Sequence, residues 1–186
     1  SEEVPVVLHK DKSNNVSEVR IIAGEFDGIK AIKPNTGSWA YNPNNRVSIL
    51  LVKMAPNAQF RLPKGTPTMN RNLYYYEGND VITIDNESFQ KDYRVKLMSD
   101  DEIPIQNGQS EAKFIILEAE PIQEQVFQYG PFVMSTKEEV IQAYRDYEEN
   151  QFGDWPWDRY DPVNAITDQR FAKYVDGTFH YPNKSN

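Results

Sequence analysis

Cysteine is absent from this chain of 186 residues, and histidine occurs only twice. Without cysteine there can be no disulfide, no thiolate metal site and no thiol nucleophile. That composition suits a reducing compartment, and the cytoplasm is the expected location. Positive charge is also scarce. The 20 Lys and Arg against 28 Asp and Glu give a formal net charge of −8, with no basic cluster. Such a chain repels a phosphate backbone, so direct nucleic-acid binding is not expected. No apolar run approaches the ~20 residues of a transmembrane helix. The opening Ser1-Glu2-Glu3 is acidic, unlike a signal peptide. A start without Met in linker-like sequence suits a processed product or an excised fragment. Hydrophobic residues make up 39% of the chain, below the usual share, so part of it is expected outside a compact core.

What is present up to Ala119 has a β period. Val19 and Ile21 alternate with Arg20 and Ile22. Val47 to Met54 (VSILLVKM) is nearly continuous apolar sequence, as in a strand covered on both faces. NLYYYE (72–77), VITID (81–85), YRVKLM (93–98) and KFIILE (113–118) follow. Turn residues punctuate them at Pro56-Asn57, Gly78-Asn79-Asp80, Asp85-Asn86 and Asn107-Gly108. Many short strands with regular turns predict an all-β sandwich or barrel.

After Met134 the period changes. Ser135-Thr136-Lys137-Glu138 has the form of a capping box. Val140, Tyr144 and Tyr147 then recur at helical spacing, which predicts one amphipathic helix ending near Phe152-Gly153. The remaining stretch is loop-like yet rich in aromatics. The predicted organisation is a β-barrel over 1–121, a connecting segment and helix over 122–153, and an extended aromatic tail over 154–186. Phe152, Trp155, Trp157, Tyr160 and Phe171 either cover this chain's own surface or dock on a neighbouring domain or subunit.

Chemistry-bearing patterns are few. His9 and His180 lie near opposite ends and outside every predicted strand, and two imidazoles cannot supply a site of three His and one Glu. Asp100-Asp101-Glu102 lacks the alternating oxygen ligands of a calcium loop and reads as a solvated turn. No Gly-x-Ser-x-Gly elbow is present. Gly24-Glu25-Phe26-Asp27-Gly28 lacks the setting of a dinucleotide loop and reads as a turn after a strand. In a strand, Tyr74 and Tyr76 share one face and Tyr75 takes the other. With Trp39, some of these rings are candidates for lining a cavity that takes a flat phenolic ligand; otherwise they are ordinary strand formers.

The block Val126-Phe127-Gln128-Tyr129-Gly130-Pro131-Phe132-Val133-Met134, followed by Ser135-Thr136-Lys137-Glu138-Glu139, resembles the C-terminal cupin domain of the pirin family. Phe152-Gly153-Asp154-Trp155-Pro156-Trp157, Asp161-Pro162-Val163 and Arg170-Phe171-Ala172 resemble the tail of bacterial pirins. Ala23-Gly24-Glu25 with Gly28-Ile29-Lys30 is similar to that domain's opening strand and loop. The resemblance is dense from Gln123 onward and thin between Trp39 and Ala119. It implies a cupin-type barrel (a double-stranded β-helix) followed by one amphipathic helix and an aromatic-rich extended tail. It implies a two-cupin parent whose N-terminal barrel holds iron on three His and one Glu, some members resembling quercetin 2,3-dioxygenases. It also implies a C-terminal barrel that has lost its ligands. In agreement, Pro56 to Asn70 reads PNAQFRLPKGTPTMN, with neither His nor Glu.

The expectation is therefore a non-catalytic structural and interaction module with no catalytic residue, metal or cofactor of its own. Its expected partner is the N-terminal cupin of the same protein or another copy of the chain, packed over an apolar face. The alternative is a stand-alone small-molecule binder, or a metal-independent enzyme, using an aromatic-lined cavity. A third reading, transcriptional coregulation as in a vertebrate family member, has no independent support in the sequence.

Overall fold

The computed structural model describes residues 4–153, 165, 170–174 and 176–181. They fall into two compact units, Ser1–Gln123 and Glu124–Asn186.

Among the described residues the first unit contains twelve strands: β1 (Val6–Lys10), β2 (Val16–Ala23), β3 (Glu25–Phe26), β4 (Ile29–Lys30), β5 (Ser48–Met54), β6 (Gln59–Leu62), β7 (Asn70–Glu77), β8 (Ile82–Ile84), β9 (Glu87–Phe89), β10 (Arg94–Lys96), β11 (Ile103–Asn107) and β12 (Ala112–Ala119). One sheet has six strands in the order β1-β2-β5-β12-β7-β10, and the other has four in the order β6-β11-β8-β9. The described pairings in both are antiparallel. The inner faces bury one shared core. Val19, Leu50, Val52, Phe114 and Ile116 come from the first sheet, and Phe60, Leu62, Ile82 and Ile105 from the second. This is the expected all-β cupin barrel.

Its strands follow from alternation. In β5, Ser48, Leu50, Val52 and Met54 are buried, while Ile49 and Leu51 are half-buried and Lys53 is exposed. The apolar run 47–54 is thus fully covered on one face only, not on both. The pairing places Leu51, Ile115 and Tyr74 in one row across the outer face, with Ile49 beside Leu117. Asp85 and Asn86 join β8 to β9 with φ of 46° and 68°, the two positive values a tight two-residue hairpin needs.

β1, β6 and β11 are strands that the sequence pattern does not announce. β1 carries His9, so that histidine is not outside the barrel strands. Its ring lies edge-on to Phe60 at 6.0 Å, and its Nδ1 is 3.8 Å from Asp27. Gly24 to Gly28 makes the expected turn after β2, as the β3–β4 hairpin.

In the second unit, β13 (Phe127–Tyr129) and β14 (Phe132–Met134) form a hairpin around Gly130, whose φ is 54°. The helix α1 runs Lys137–Asn150. Its capping box sits one residue later than expected: Thr136 is the N-cap, and Glu139 reaches back to it. Tyr144 packs on Phe132 at 4.8 Å, and Phe152 packs on Phe132 and Tyr147. Further on, β15 (Ala172–Lys173) pairs with β16 (Phe179–His180), and Phe171 lies against Phe179 and Tyr181. No described helix is long and apolar enough to cross a membrane.

Candidate functional site

The most heavily bonded polar group of the barrel is Arg71. β7 turns Arg71, Leu73 and Tyr75 inward, and the Arg71 side chain has no exposed surface. A guanidinium stripped of water must find acceptors for its donors. Nε donates to Glu118 Oε1 at 2.7 Å. Nη1 donates to the carbonyls of Met98 at 3.0 Å and Asp101 at 2.9 Å, with Ser99 more distant at 3.4 Å. Nη2 donates to the Pro63 carbonyl at 2.6 Å.

Glu118 stands directly across from Arg71 in the β7–β12 register, so the sheet itself sets the ion pair. The carbonyls belong to two connecting segments, 63–65 and 98–101. These segments also bond each other and the residue that precedes β7: Gly65 N–H donates to Ser99 O, and the Ser99 hydroxyl donates to Met69 O. A Cβ on Gly65 would lie 2.6 Å from Ser99 O, so the close approach requires glycine here. Arg71 is therefore a clamp that joins two strands to two loops. All three guanidinium nitrogens are engaged. Asp101 contributes its carbonyl to this clamp, while Glu102 pairs with Arg61 at 2.6 Å.

Beside the clamp an open cleft of about 730 Å3 reaches from the β3–β4 hairpin to Ser48, Leu50, Leu62, Lys64 and Glu118. Trp39, Tyr74, Tyr75 and Tyr76 do not line it; Tyr41 does. Trp39 is exposed at the start of a short 3-10 turn. Tyr75 is in the core, and its hydroxyl donates to Asp80 O at 2.7 Å. Burial pushes the Tyr75 phenol above its ordinary pKa. Tyr74 is half-buried and Tyr76 exposed on the opposite face, so the four rings are not brought together. Phe152 is exposed and Phe171 half-buried, each within an aromatic group of the second unit. Trp155, Trp157 and Tyr160 lie outside the described residues.

Among the described residues no three His, Cys, Asp or Glu side chains converge. His9 and His180 fall in different units. Sequence reasoning missed Arg71, which sits between two asparagines with nothing in its neighbourhood to mark it as buried.

A family model described as the pirin C-terminal cupin domain matches residues 49–153. The chain is 35% identical to the pirin-like protein of Solanum lycopersicum over 76% of this chain and 47% of that protein. It is 30% identical to the pirin of Homo sapiens, over 79% and 47% respectively. A solved quercetin 2,3-dioxygenase from Acinetobacter baumannii matches with a TM-score of 0.66 at 20% identity, covering 82% of this chain and 48% of its own. At that identity the likeness is one of fold. The chain spans about half the length of the curated relatives it matches.

Proposed function

The chain belongs to the pirin C-terminal cupin domain family, and from that premise we propose that it is the structural, non-catalytic half of a two-cupin cytoplasmic protein. Its partner in this reading is an N-terminal cupin that holds iron and carries any quercetin 2,3-dioxygenase-like chemistry of the whole protein. The observation that carries the reading is Arg71. In this barrel a permanent cation is fully buried and spent on the Glu118 carboxylate and on loop carbonyls, and a clamp of that kind builds a scaffold. A cupin that gathers an ion needs the opposite, several acceptor side chains turned toward one point.

The outer face of the six-stranded sheet supports the partner half of the proposal. Leu51, Ile115, Ile49 and Leu117 form a half-buried apolar surface, bounded by Arg20, which stands between Leu51 and Val6 of the edge strand. A contiguous apolar sheet face of this kind suits a stable neighbour.

The experiment is an immunoblot of the source cells with an antibody against this barrel. The proposal expects a band well above the mass of 186 residues. A single band at that mass contradicts it and returns function to this chain alone.

A further inference from the structure

The cleft beside the clamp has a charge pattern that sets it apart from the rest of an acidic chain. Four cations, Lys30, Lys33, Arg46 and Lys64, line it together with three acids, Glu25, Asp27 and Glu118. Glu25 and Glu118 are paired with cations, while Asp27 faces His9, which carries charge only when protonated. Glu25 is 3.9 Å from Lys30, Asp27 is 3.8 Å from His9, and Glu118 holds Arg71 at 2.7 Å. Among the described residues Lys33, Arg46 and Lys64 make no ion pair. Lys33 Nζ lies 5.2 Å from the centre of the Tyr41 ring. Arg46 lies in the field of Glu120, whose two carboxylate oxygens accept from Thr66 and Thr68. Set against Asp27 and Glu120, the cations Lys33, Arg46 and Lys64 leave the wall a small positive excess, although the chain's net charge is −8.

A second observation comes from deeper in the cleft. Ser48 lines it from β5, is 9% exposed, and its hydroxyl has no hydrogen-bond partner. A buried hydroxyl left unpaired is costly, and a bound group that pairs with it recovers that cost. Ser48 stands across from Glu118 in the β5–β12 register, and Phe26, Leu50, Leu62 and Met69 add apolar lining to the same cleft. A volume of about 730 Å3 lies in the range of small-molecule sites.

The geometry points to a binding site for small hydroxylated aromatic carboxylates. The carboxylate meets Arg46, Lys64 and Lys33, for which a charge-assisted pair is the strongest contact available. The ring covers the apolar lining. The hydroxyl pairs with Ser48 Oγ. This site is independent of the scaffold role, and it is not the cavity that Trp39 and the three tyrosines suggest from sequence.

The test is titration calorimetry of the full chain at low salt with 4-hydroxybenzoate, 4-hydroxybenzamide and benzoate as probes. Expected is saturable binding of 4-hydroxybenzoate, with the neutral amide and the hydroxyl-free benzoate each about tenfold weaker. R46Q combined with K64Q should weaken 4-hydroxybenzoate by about tenfold or more while far-UV circular dichroism and the urea midpoint stay unchanged. S48A should abolish the preference over benzoate and leave benzoate itself bound. No saturable binding to the wild type, an amide that binds as well as the acid, or affinity indifferent to the R46Q/K64Q pair overturns the site. A preference that survives S48A overturns the assignment of the hydroxyl end.

Discussion

Replacing Arg71 with Met keeps the volume of the side chain and removes every donor of the clamp. Glu118, whose side chain is only 11% exposed, would be left without its partner, and the carbonyls of Pro63, Met98 and Asp101 would lose theirs. Breaking one side of a buried ion pair costs about 3–5 kcal/mol. The residual exposure of Glu118 places the expectation toward the lower end, about 3 kcal/mol. Set against a typical domain stability of about 5–15 kcal/mol, that loss is large. The assay is urea unfolding followed by far-UV circular dichroism, with the midpoint falling and the slope m unchanged. Arg71→Met combined with Glu118→Leu removes both charges and should recover about 1–2 kcal/mol relative to the single variant. If Arg71→Met unfolds within about 1 kcal/mol of the wild type at the same m, the guanidinium is not what ties the loops to the sheet. Lack of any recovery in the double variant would show that the lost carbonyl bonds, and not the orphaned carboxylate, dominate.

Three further outcomes follow from single contacts. Tyr75→Phe leaves the ring in the core and orphans the Asp80 carbonyl, so a loss of about 1 kcal/mol in urea unfolding is expected, and no loss would refute the bond's contribution. Thr136→Ala removes the helix N-cap and should cost about 1 kcal/mol, read as earlier thermal fraying of α1 by amide exchange; unchanged protection would contradict the cap. The Thr66 and Thr68 hydroxyls hold the Glu120 carboxyl below its ordinary pKa. A depressed folded-state pKa gives a contribution that is complete above the unfolded value and is lost as pH falls through the folded one. Thr66→Val with Thr68→Val should therefore raise the Glu120 pKa in a carboxyl NMR titration and flatten the acid limb of stability. An unmoved titration would remove those hydroxyls as the cause.

The parts of the fold that were legible are those in which one local period decides. The 72–77 run reads as a strand whose middle tyrosine opposes its neighbours, and β7 does turn Tyr75 in while Tyr76 is exposed. Which face meets the core and which a cavity is set by the second sheet, so the period alone could not show that Tyr75 packs in the core. β11 is hidden by Pro104, which ordinarily argues against an interior strand. The cap slipped by one residue because Ser135-Thr136 and Glu138-Glu139 offer two equivalent registers. The clamp was not legible at all, since Arg71 and Glu118 are joined only through strand pairing across 47 positions. The same holds for the cleft, whose cations come from β4 and from separate loops. The ligand-poor stretch 56–70 and the 126–139 block could be read directly, because their information lies in residue identity.

The central claim, a scaffold cupin without a metal of its own, is tested most directly by iron content. The chain, loaded anaerobically with ferrous iron and then desalted, is analysed for bound metal by plasma mass spectrometry. The account predicts iron far below one ion per chain, with the urea midpoint the same with and without loading. One tightly held ion per chain, with a raised midpoint, would contradict it.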